Sequence, residues 1–304
     1  MGRVADSVKS RLDRVLRERD FFTPSTRRDR LRTRPLKTLT IALLTSLSRL
    51  TRGRVQPIIR AKTFWGDCLN VLLPEGSPVF LWGLIDGEEL NLTLFLVDHL
   101  QPGAVFVDVG AHFGYYSLLA ATLVGPAGSV HAFEPTPRTA RILQTNVADV
   151  SNVVVYQQAA WSESGPVKLL DFGEHAGAFN TLLKPEDYPY RDILARHGRF
   201  ATRIEVDAVS LNDWARTSHV LPDFIKVDVE GAELEVLLGA TALLQMNPFL
   251  SVEIWRRSGE KHAEQLIHFL RGFSYQPHRL DRGRLVPYRF MDDFDFANLI
   301  FVPS

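Results

Sequence analysis

The feature that most constrains the fold is a regular alternation of short apolar runs with longer helical patterns over the last two thirds of the chain. The apolar runs have the length of strands buried on both faces, and the helical patterns are long enough for crossover helices. Strands are predicted at 104–109, 129–133, 153–157, 224–227, 249–254 and 296–302, preceded by strand-like pieces at 70–73 and 79–82. Helices are predicted at 86–100, 115–124, 138–147, 232–244 and 261–273. This order indicates an α/β fold with a doubly wound, mainly parallel sheet and helices on both faces.

The stretch 161–212 interrupts the alternation. Two strand-like segments, 167–172 and 202–209, are joined there by a polar segment that contains glycine and tyrosine. Insertions of this kind often hold substrate-binding loops, so we expect this one to face the substrate. We predict that it belongs to a catalytic domain over residues 61–304.

The first 60 residues differ from the rest in charge. They contain 16 Lys and Arg against 5 Asp and Glu, whereas the remainder of the chain contains 19 against 30. The spacing of valine and leucine predicts helices over 4–19 and 36–50, with a polar, Arg-rich link at 23–35. We predict a basic helical extension, 1–60, which either docks on the acidic body or lies on an anionic membrane surface.

A glycine-containing loop follows the first predicted core strand. That strand ends at Asp108, the chain turns at Gly110, and Gly114 stands where the next helix begins. Glycine lets the backbone approach a ligand closely, and a helix N-terminus favours a negative group such as an amino-acid carboxylate. Asp108 would repel a pyrophosphate, and His112 stands where the dinucleotide pattern G-x-G-x-x-G needs glycine. The loop is therefore predicted to bind a different cofactor, with Asp108 accepting a hydrogen bond from an ammonium or an amide.

Two further positions extend this predicted cofactor site. Glu134 follows the next strand, 24 residues after Gly110. An acidic side chain at this place can hold two ribose hydroxyls by paired hydrogen bonds. Ala160 follows the third strand, where an adenine ring lies in sheets of this kind, and the neighbouring Trp161 either stacks on that ring or packs in the core.

Charged residues cluster at the ends of the next two strands. Lys226, Asp228 and Glu230 alternate out of an apolar run, where burial without a polar site would be costly. Glu253 lies inside the following strand, which we expect to neighbour that of Asp228. Asp228 and Glu253 can act as general bases or as oxygen ligands of a divalent cation, whereas no spacing of His and Cys indicates zinc. We predict that all four residues belong to the catalytic site.

Several function classes find no support in the sequence. Neither a Gly-x-Ser-x-Gly elbow nor a P-loop occurs, and the acidic body without a basic, aromatic-lined groove argues against a nucleic-acid partner. The single cysteine, Cys68, excludes an internal disulfide and fits a reducing compartment. No apolar run is long enough to span a bilayer. We expect a cytoplasmic protein, with peripheral contact at the inner membrane surface as the alternative that the basic helices allow.

Four motifs together resemble the FkbM family of methyltransferases in order and spacing, over about residues 85–302. They are FVDVGAHFGYYS, AFEP, FIKVDVEGAELEVLLGA and SVEIW. One departure is His112, where the family usually has asparagine; since histidine can also donate and accept hydrogen bonds, we predict that it contacts the cofactor. The resemblance implies a class I methyltransferase (Rossmann-like) fold and S-adenosylmethionine as methyl donor. It also implies, most often, methylation of hydroxyls in sugars or secreted natural products.

The resemblance also implies roles for individual residues of this chain. It implies cofactor roles for Asp108, Gly110, Gly114 and Glu134, and site-motif roles for Asp228, Glu230 and Glu233. We predict methyl transfer to a hydroxyl of a small-molecule, carbohydrate or lipid-linked acceptor, with Asp228 as the first choice of base and Glu253 as the second. A divalent metal is compatible with these carboxylates but is not indicated. Two other classes stay open: a nicotinamide oxidoreductase, which shares the sheet and the ribose acid, and a non-catalytic interaction protein.

Overall fold

In the computed structural model the chain forms an eight-stranded sheet, a three-stranded sheet and a two-stranded sheet, with helices around them. The structure describes residues 3–23, 25–50, 57–173, 180–184, 194–195, 198, 201–255, 260–289 and 296–304. The strands are β1 Ile58–Lys62, β2 Cys68–Leu72, β3 Val105–Val109, β4 Ser129–Phe133, β5 Val153–Tyr156, β6 Ala159–Ala160, β7 Gly165–Asp171, β8 Thr202–Val209, β9 Phe224–Val227, β10 Phe249–Trp255, β11 Tyr275–Asp281, β12 Arg284–Pro287 and β13 Phe296–Pro303. The helices are α1 Arg3–Leu16, α2 Arg27–Thr33, α3 Pro35–Leu50, α4 Ser77–Trp82, α5 Glu89–His99, α6 Tyr115–Val124, α7 Pro137–Val147, α8 Leu211–Ser218, α9 Glu233–Leu238, α10 Thr241–Leu244 and α11 Glu260–Gly272.

The large sheet runs in the order β12-β11-β13-β10-β9-β3-β4-β5. The five strands from β10 to β5 are parallel, and β13 lies antiparallel between β10 and β11. The chain builds β3, β4 and β5 towards one edge and then returns through β9 and β10 towards the other, so the strand order reverses between β3 and β9. Ligands bind at such switch points, beside the carboxyl ends of the strands. The predicted doubly wound, mainly parallel sheet is confirmed.

Neighbouring residues of the central strands bury opposite faces of the sheet. In β3, Phe106 belongs to a cluster that includes α5 and α6, whereas Val107 and Val109 belong to a cluster that includes α8 to α11. Side chains point alternately to the two sides of a strand. Because both sides are covered by helices, the strand sequence is apolar throughout, which is why the core strands were visible in the sequence.

The segment 79–82, predicted as a strand, lies instead in helix α4. The helix has Pro78 in its first turn, and it ends at Gly83, which has a left-handed backbone with φ of +79°. Proline at the start and glycine just past the end are typical boundaries of a helix. These boundary residues, rather than the apolar residues between them, decide the local structure, and the strand prediction was wrong.

The predicted helix 232–244 divides into α9 and α10. The division lies at Gly239, whose backbone approaches that of Trp161 so closely that a Cβ there would stand 2.0 Å from the Trp161 carbonyl oxygen. Contact with a distant segment therefore interrupts the helix. The strands β1, β11 and β12 and the short helix α2 were not predicted from the sequence.

The first helix of the basic segment docks on the body of the protein. Val8 and Leu12 are buried in the same cluster as α5 and α6. Lys9 pairs with Asp98 at 2.5 Å, on the last turn of α5. Of the two arrangements predicted for the basic helices, docking on the body is the one that α1 adopts. Among the described helices, none has the length and apolar character needed to cross a membrane.

The three-stranded sheet, in the order β6-β8-β7, contains the two strands predicted within the insertion 161–212. Strand β8 runs antiparallel to β7 and parallel to β6. The polar segment between β7 and β8 falls largely at 174–179, 185–193, 196–197 and 199–200, which lie outside the described residues. In the described part, Leu169 and Leu182 line a cleft at the carboxyl edge of the large sheet.

Candidate functional site

The glycine loop after β3 is held between the ends of two neighbouring strands. Gly110 has a φ of +79°, and a Cβ there would lie 1.7 Å from the carbonyl oxygen of Asp228. The amide of Ala111 donates to the carbonyl of Phe133 at 2.9 Å. Gly114 precedes α6 with a φ of +90°, and a Cβ there would lie 2.5 Å from Cδ1 of Leu143. Gly110 is required by its backbone conformation and by the fixed carbonyl oxygen opposite it, whereas at Gly114 the left-handed backbone is the stronger reason for glycine, because a leucine methyl group can shift.

The side chain of Glu134 connects this loop to the end of β4. It is buried, and its two carboxylate oxygens accept one backbone amide each, from His112 at 3.0 Å and from Thr136 at 2.9 Å. Burial raises the pKa of Glu134, and the hydrogen bonds and the nearby His112 oppose that rise. A carboxylate has about four acceptor sites, so Glu134 has capacity for a further donor such as a ribose hydroxyl.

A cleft opens beside Glu134 at the strand ends. We call it the Glu134 cleft and define it by Gly110, His112, Glu134, Ala160, Asp228 and Glu230, all of which line it. Apolar side chains, including Ala160 of β6, Leu169 of β7 and Leu182, also line it. Trp161 is not among the lining residues and packs instead with the core of the small sheet.

Asp108, predicted as a cofactor residue, lies outside the lining of this cleft. Its side chain is fully buried below the glycine loop. One carboxylate oxygen accepts the hydroxyl of Ser117 at 2.6 Å, and the other stands 3.4 Å from the ammonium of Lys226. The carboxylate therefore joins β3, α6 and β9 at the switch point. Gly114 likewise lies beside the cleft and contributes its backbone conformation.

Lys226 is a basic group that the structure buries in the interior of the site, where His112 also lines the cavities. Its ammonium stands 3.1 Å from a carboxylate oxygen of Asp228 and 5.3 Å from the centre of the Tyr116 ring. Burial opposes its charge, but the carboxylates of Asp228, Asp108 and Glu89 together raise the pKa of Lys226. This direction favours the ammonium form of the side chain, which suits it to pairing with Asp228 rather than to accepting a proton.

A second pocket adjoins the cleft on the side of α5. We call it the Glu89 pocket and define it by Glu75, Glu89, Tyr115, Tyr116, Lys226 and Glu253, all of which line it. Gly110, His112, Asp228 and Glu230 line both the pocket and the cleft. Asp228 and Glu230 therefore stand at the boundary between two cavities, where a group held on one side can reach a group held on the other.

Three carboxylates meet at this boundary. Asp228, Glu230 and Glu253 each place a carboxylate oxygen within 4.8 Å of the others. Burial and the surrounding negative charges raise the pKa values of Glu230 and Glu253 well above the ordinary range. The neighbouring strands β9 and β10 bring them together as the sequence predicted. Such a group can share protons, accept hydroxyl donors or hold a divalent cation through oxygen ligands.

The sequence missed Glu89, which stands at the start of α5. Its carboxylate accepts the hydroxyl of Tyr116 at 2.6 Å and the side-chain amide of Asn298 at 3.0 Å. Burial raises its pKa, and the nearby Asp228 adds to the effect. Nothing local marks this residue, because its partners lie 27 and 209 residues away along the chain.

Glu233 shapes the loop that presents the acidic residues. One of its carboxylate oxygens accepts the backbone amides of Val229 at 3.2 Å and Gly231 at 3.0 Å. These bonds close a turn in which Glu230 has a φ of +57°, an uncommon value for a residue with a side chain. His112 shares this feature, with a φ of +51°, and its ring stands 3.4 Å from Glu75.

The ionisation of Glu253 makes the stability of the ligand-free protein depend on pH. Because burial raises the pKa of Glu253 in the folded state, stability falls as the pH rises from the unfolded pKa of about 4.3 towards the folded one, by about 1.4 kcal/mol per pH unit. We expect Glu253→Gln to raise the melting temperature relative to the wild type by an amount that grows as the pH rises above the unfolded-state pKa of about 4.3. Differential scanning calorimetry measures this, with the exposed Glu163→Gln as control; a difference that is constant with pH would contradict it.

Comparison with known proteins agrees with this architecture. The model of the methyltransferase FkbM domain matches residues 108–277. The methyltransferase sdnD of Sordaria araneosa is 29% identical in an alignment 217 residues long that covers 64% of this chain and 82% of the relative. The hexuronic acid methyltransferase AglP of Haloferax volcanii is 27% identical in an alignment 195 residues long that covers 62% of this chain and 71% of the relative.

A third relative is the 31-O-demethyl-FK506 methyltransferase FkbM of Streptomyces tacrolimicus. It is 32% identical in an alignment 158 residues long that covers 46% of this chain and 60% of the relative. The matched region of the family model includes the glycine loop, Glu134, the acidic loop and β10, and it covers more than half of the chain. The chain therefore belongs to the FkbM methyltransferase family, with the class I methyltransferase fold that its strand order displays.

Proposed function

We propose that this protein transfers a methyl group from S-adenosylmethionine to a hydroxyl oxygen. The Glu134 cleft would hold the cofactor and the Glu89 pocket the acceptor. The observation that supports this assignment best is the shared boundary of the two cavities, because methyl transfer needs donor and acceptor in line across a short gap. Asp228 and Glu230 stand at that boundary.

The cleft suits S-adenosylmethionine in its shape and its charge. Glu134 would accept the ribose hydroxyls, and the apolar side chains of Ala160 and Leu182 would contact the adenine ring. The positively charged sulfonium would then lie near Asp228 and Glu230, which attract it. A nicotinamide dinucleotide fits less well, because its pyrophosphate would meet the same carboxylates without the glycine spacing that lets a backbone cradle phosphates.

The charge of the Glu89 pocket indicates the class of acceptor. Five acidic residues line it, Glu75, Glu89, Asp228, Glu230 and Glu253, against two basic ones, Lys226 and His112. Carboxyl groups, ionised or protonated, and tyrosine hydroxyls can form hydrogen bonds with the hydroxyls of a neutral polyol. An anion would instead add to the negative charge that already raises the pKa values of Glu89, Glu230 and Glu253. We therefore infer an uncharged polyhydroxylated acceptor, such as a sugar, a glycolipid head group or a hydroxylated natural product. AglP is named for a hexuronic acid, and we expect this chain to differ from it in that preference.

The proposed reaction is a single displacement. The acceptor oxygen attacks the methyl carbon, the bond from carbon to sulfur breaks, and S-adenosylhomocysteine leaves with the electron pair. The acceptor proton passes to Asp228, which Lys226 holds at 3.1 Å, with Glu253 as the second candidate. If a divalent cation is used, Asp228, Glu230 and Glu253 would bind it, and the cation would make the acceptor hydroxyl more acidic.

Calorimetric titration with S-adenosylhomocysteine, NADH and NADPH tests the cofactor assignment. We expect the wild type to bind S-adenosylhomocysteine with micromolar affinity and to bind neither NADH nor NADPH. Glu134→Ala should weaken this binding at least about 10-fold, because hydrogen bonds to a charged acceptor contribute roughly 1.5–3 kcal/mol. Glu163→Ala, a change of the same kind at an exposed position, should bind as the wild type does. Binding of a nicotinamide dinucleotide instead would refute the assignment.

A further inference from the structure

Helix α3 exposes a continuous apolar ridge, which we define by its five leucines. The exposed fractions are 79% for Leu36, 58% for Leu39, 72% for Leu43, 47% for Leu47 and 82% for Leu50. At 100° per residue these side chains fall within an arc of about 80°, and the ridge is about 21 Å long. Large apolar side chains exposed singly are ordinary, whereas a row of this kind indicates an interaction surface.

The opposite side of α3 is attached to the protein. Thr38 is buried, and Ile41 packs against the main core cluster. Lys37 donates to the backbone carbonyl of Phe80 at 2.6 Å, which ties the first turn to α4. The ridge therefore faces outward because the helix is held from behind, and α3 differs in this from α1, whose apolar side is covered.

Positive charge flanks the ridge. Helix α2 packs against α3 and exposes Arg27, Arg28 and Arg32, for which the described residues offer no ion pair. Arg34, which joins the two helices, pairs with Glu18 at 2.7 Å. The first 60 residues as a whole have eleven more basic than acidic side chains. An apolar ridge beside a basic segment is the composition of helices that lie in the interface of anionic membranes.

We propose that α3 lies along the surface of an anionic lipid bilayer, with its leucine ridge among the acyl chains and the arginines of α2 on the lipid head groups. The charge selects this occupant over a second copy of the chain. Two copies paired through their ridges would bring two strongly basic segments together, and these would repel each other. An anionic bilayer offers acyl chains to the leucines and negatively charged head groups to the arginines.

Flotation of the full chain with lipid vesicles tests the proposal. We expect binding to phosphatidylcholine vesicles that contain phosphatidylglycerol, little binding to phosphatidylcholine alone, and weakening by salt. The double variant Leu39→Gln and Leu43→Gln should lose at least about 10-fold in binding, since two leucines leave the apolar phase. Arg27→Gln with Arg28→Gln should lose about fivefold for each charge.

Matched controls separate the ridge from general surface changes. Leu221→Gln and Arg271→Gln alter exposed residues of the same types elsewhere and should float as the wild type does. All variants should still bind S-adenosylhomocysteine, since none of these residues lines the Glu134 cleft. The proposal is wrong if the wild type ignores anionic vesicles or if the leucine variant floats unchanged. A dimer in solution that the leucine variant dissociates would also overturn it, because the ridge would then bind a second copy.

Discussion

Asp228→Asn is expected to lower kcat by about two to four orders of magnitude, the usual contribution of a positioned general base. The substitution keeps the size of the side chain and removes its capacity to take a proton. Asp228 stands at the boundary of the two cavities and is held by Lys226 at 3.1 Å, so the asparagine should occupy the same place. Affinity for S-adenosylhomocysteine should change by less than about 10-fold, since no charge-assisted ribose contact is lost.

This effect is measured with a polyol that the wild type methylates, and the rate is monitored as the formation of S-adenosylhomocysteine. Asp149→Asn, at an exposed position, is the matched control and should retain full activity. A loss confined to KM would show that Asp228 binds the acceptor without taking its proton. Activity that a chelator abolishes and magnesium or manganese restores would assign Asp228, Glu230 and Glu253 to a metal site instead.

Residues of the Glu134 cleft could be predicted to lie close together because they follow local rules. The core strands are apolar on both faces, so each strand end is visible, and the polar residues just after it lie at one edge of a parallel sheet. Gly110, Glu134 and Asp228 were found in this way, and the structure places all three on the lining of one cleft. The prediction that β9 and β10 are neighbours, and thus that Asp228 approaches Glu253, depended on the same topology.

The Glu89 pocket could not be predicted in the same way. One wall comes from α5 and from Glu75, which precede the regular alternation, and it is completed by tyrosines of α6. In the sequence, Tyr115 and Tyr116 resemble ordinary residues of a buried apolar helix. The structure is needed to show that the hydroxyl of Tyr116 donates a hydrogen bond to Glu89. Asp108 differs from these residues: its place at a strand end predicts a ligand contact, and in the structure its carboxylate accepts the hydroxyl of Ser117 and lies 3.4 Å from the ammonium of Lys226.

Among the variants proposed here, Gly110→Ala should cause the largest loss of stability. Its two causes are backbone strain and a steric clash, and comparison with Gly103→Ala separates them. At Gly110 a Cβ would lie 1.7 Å from the carbonyl oxygen of Asp228, and φ is +79°. Gly103 has a similar φ of +86°, but nothing lies within 4 Å of its Cβ position. Gly103→Ala therefore suffers backbone strain of about 1–3 kcal/mol, whereas Gly110→Ala suffers that strain and a steric clash of similar size.

The clash at Gly110 has a consequence for function because the opposing atom is backbone and cannot rotate away. To relieve the clash, the loop after β3 must move away from the end of β9. This movement displaces Asp228 and also the backbone amide of His112, which donates to Glu134. We expect Gly110→Ala to be destabilised by about 2–6 kcal/mol in urea unfolding, and to lose binding of S-adenosylhomocysteine. Gly103→Ala should keep that binding. Equal behaviour of the two variants would mean that the close approach of β3 and β9 does not build the site.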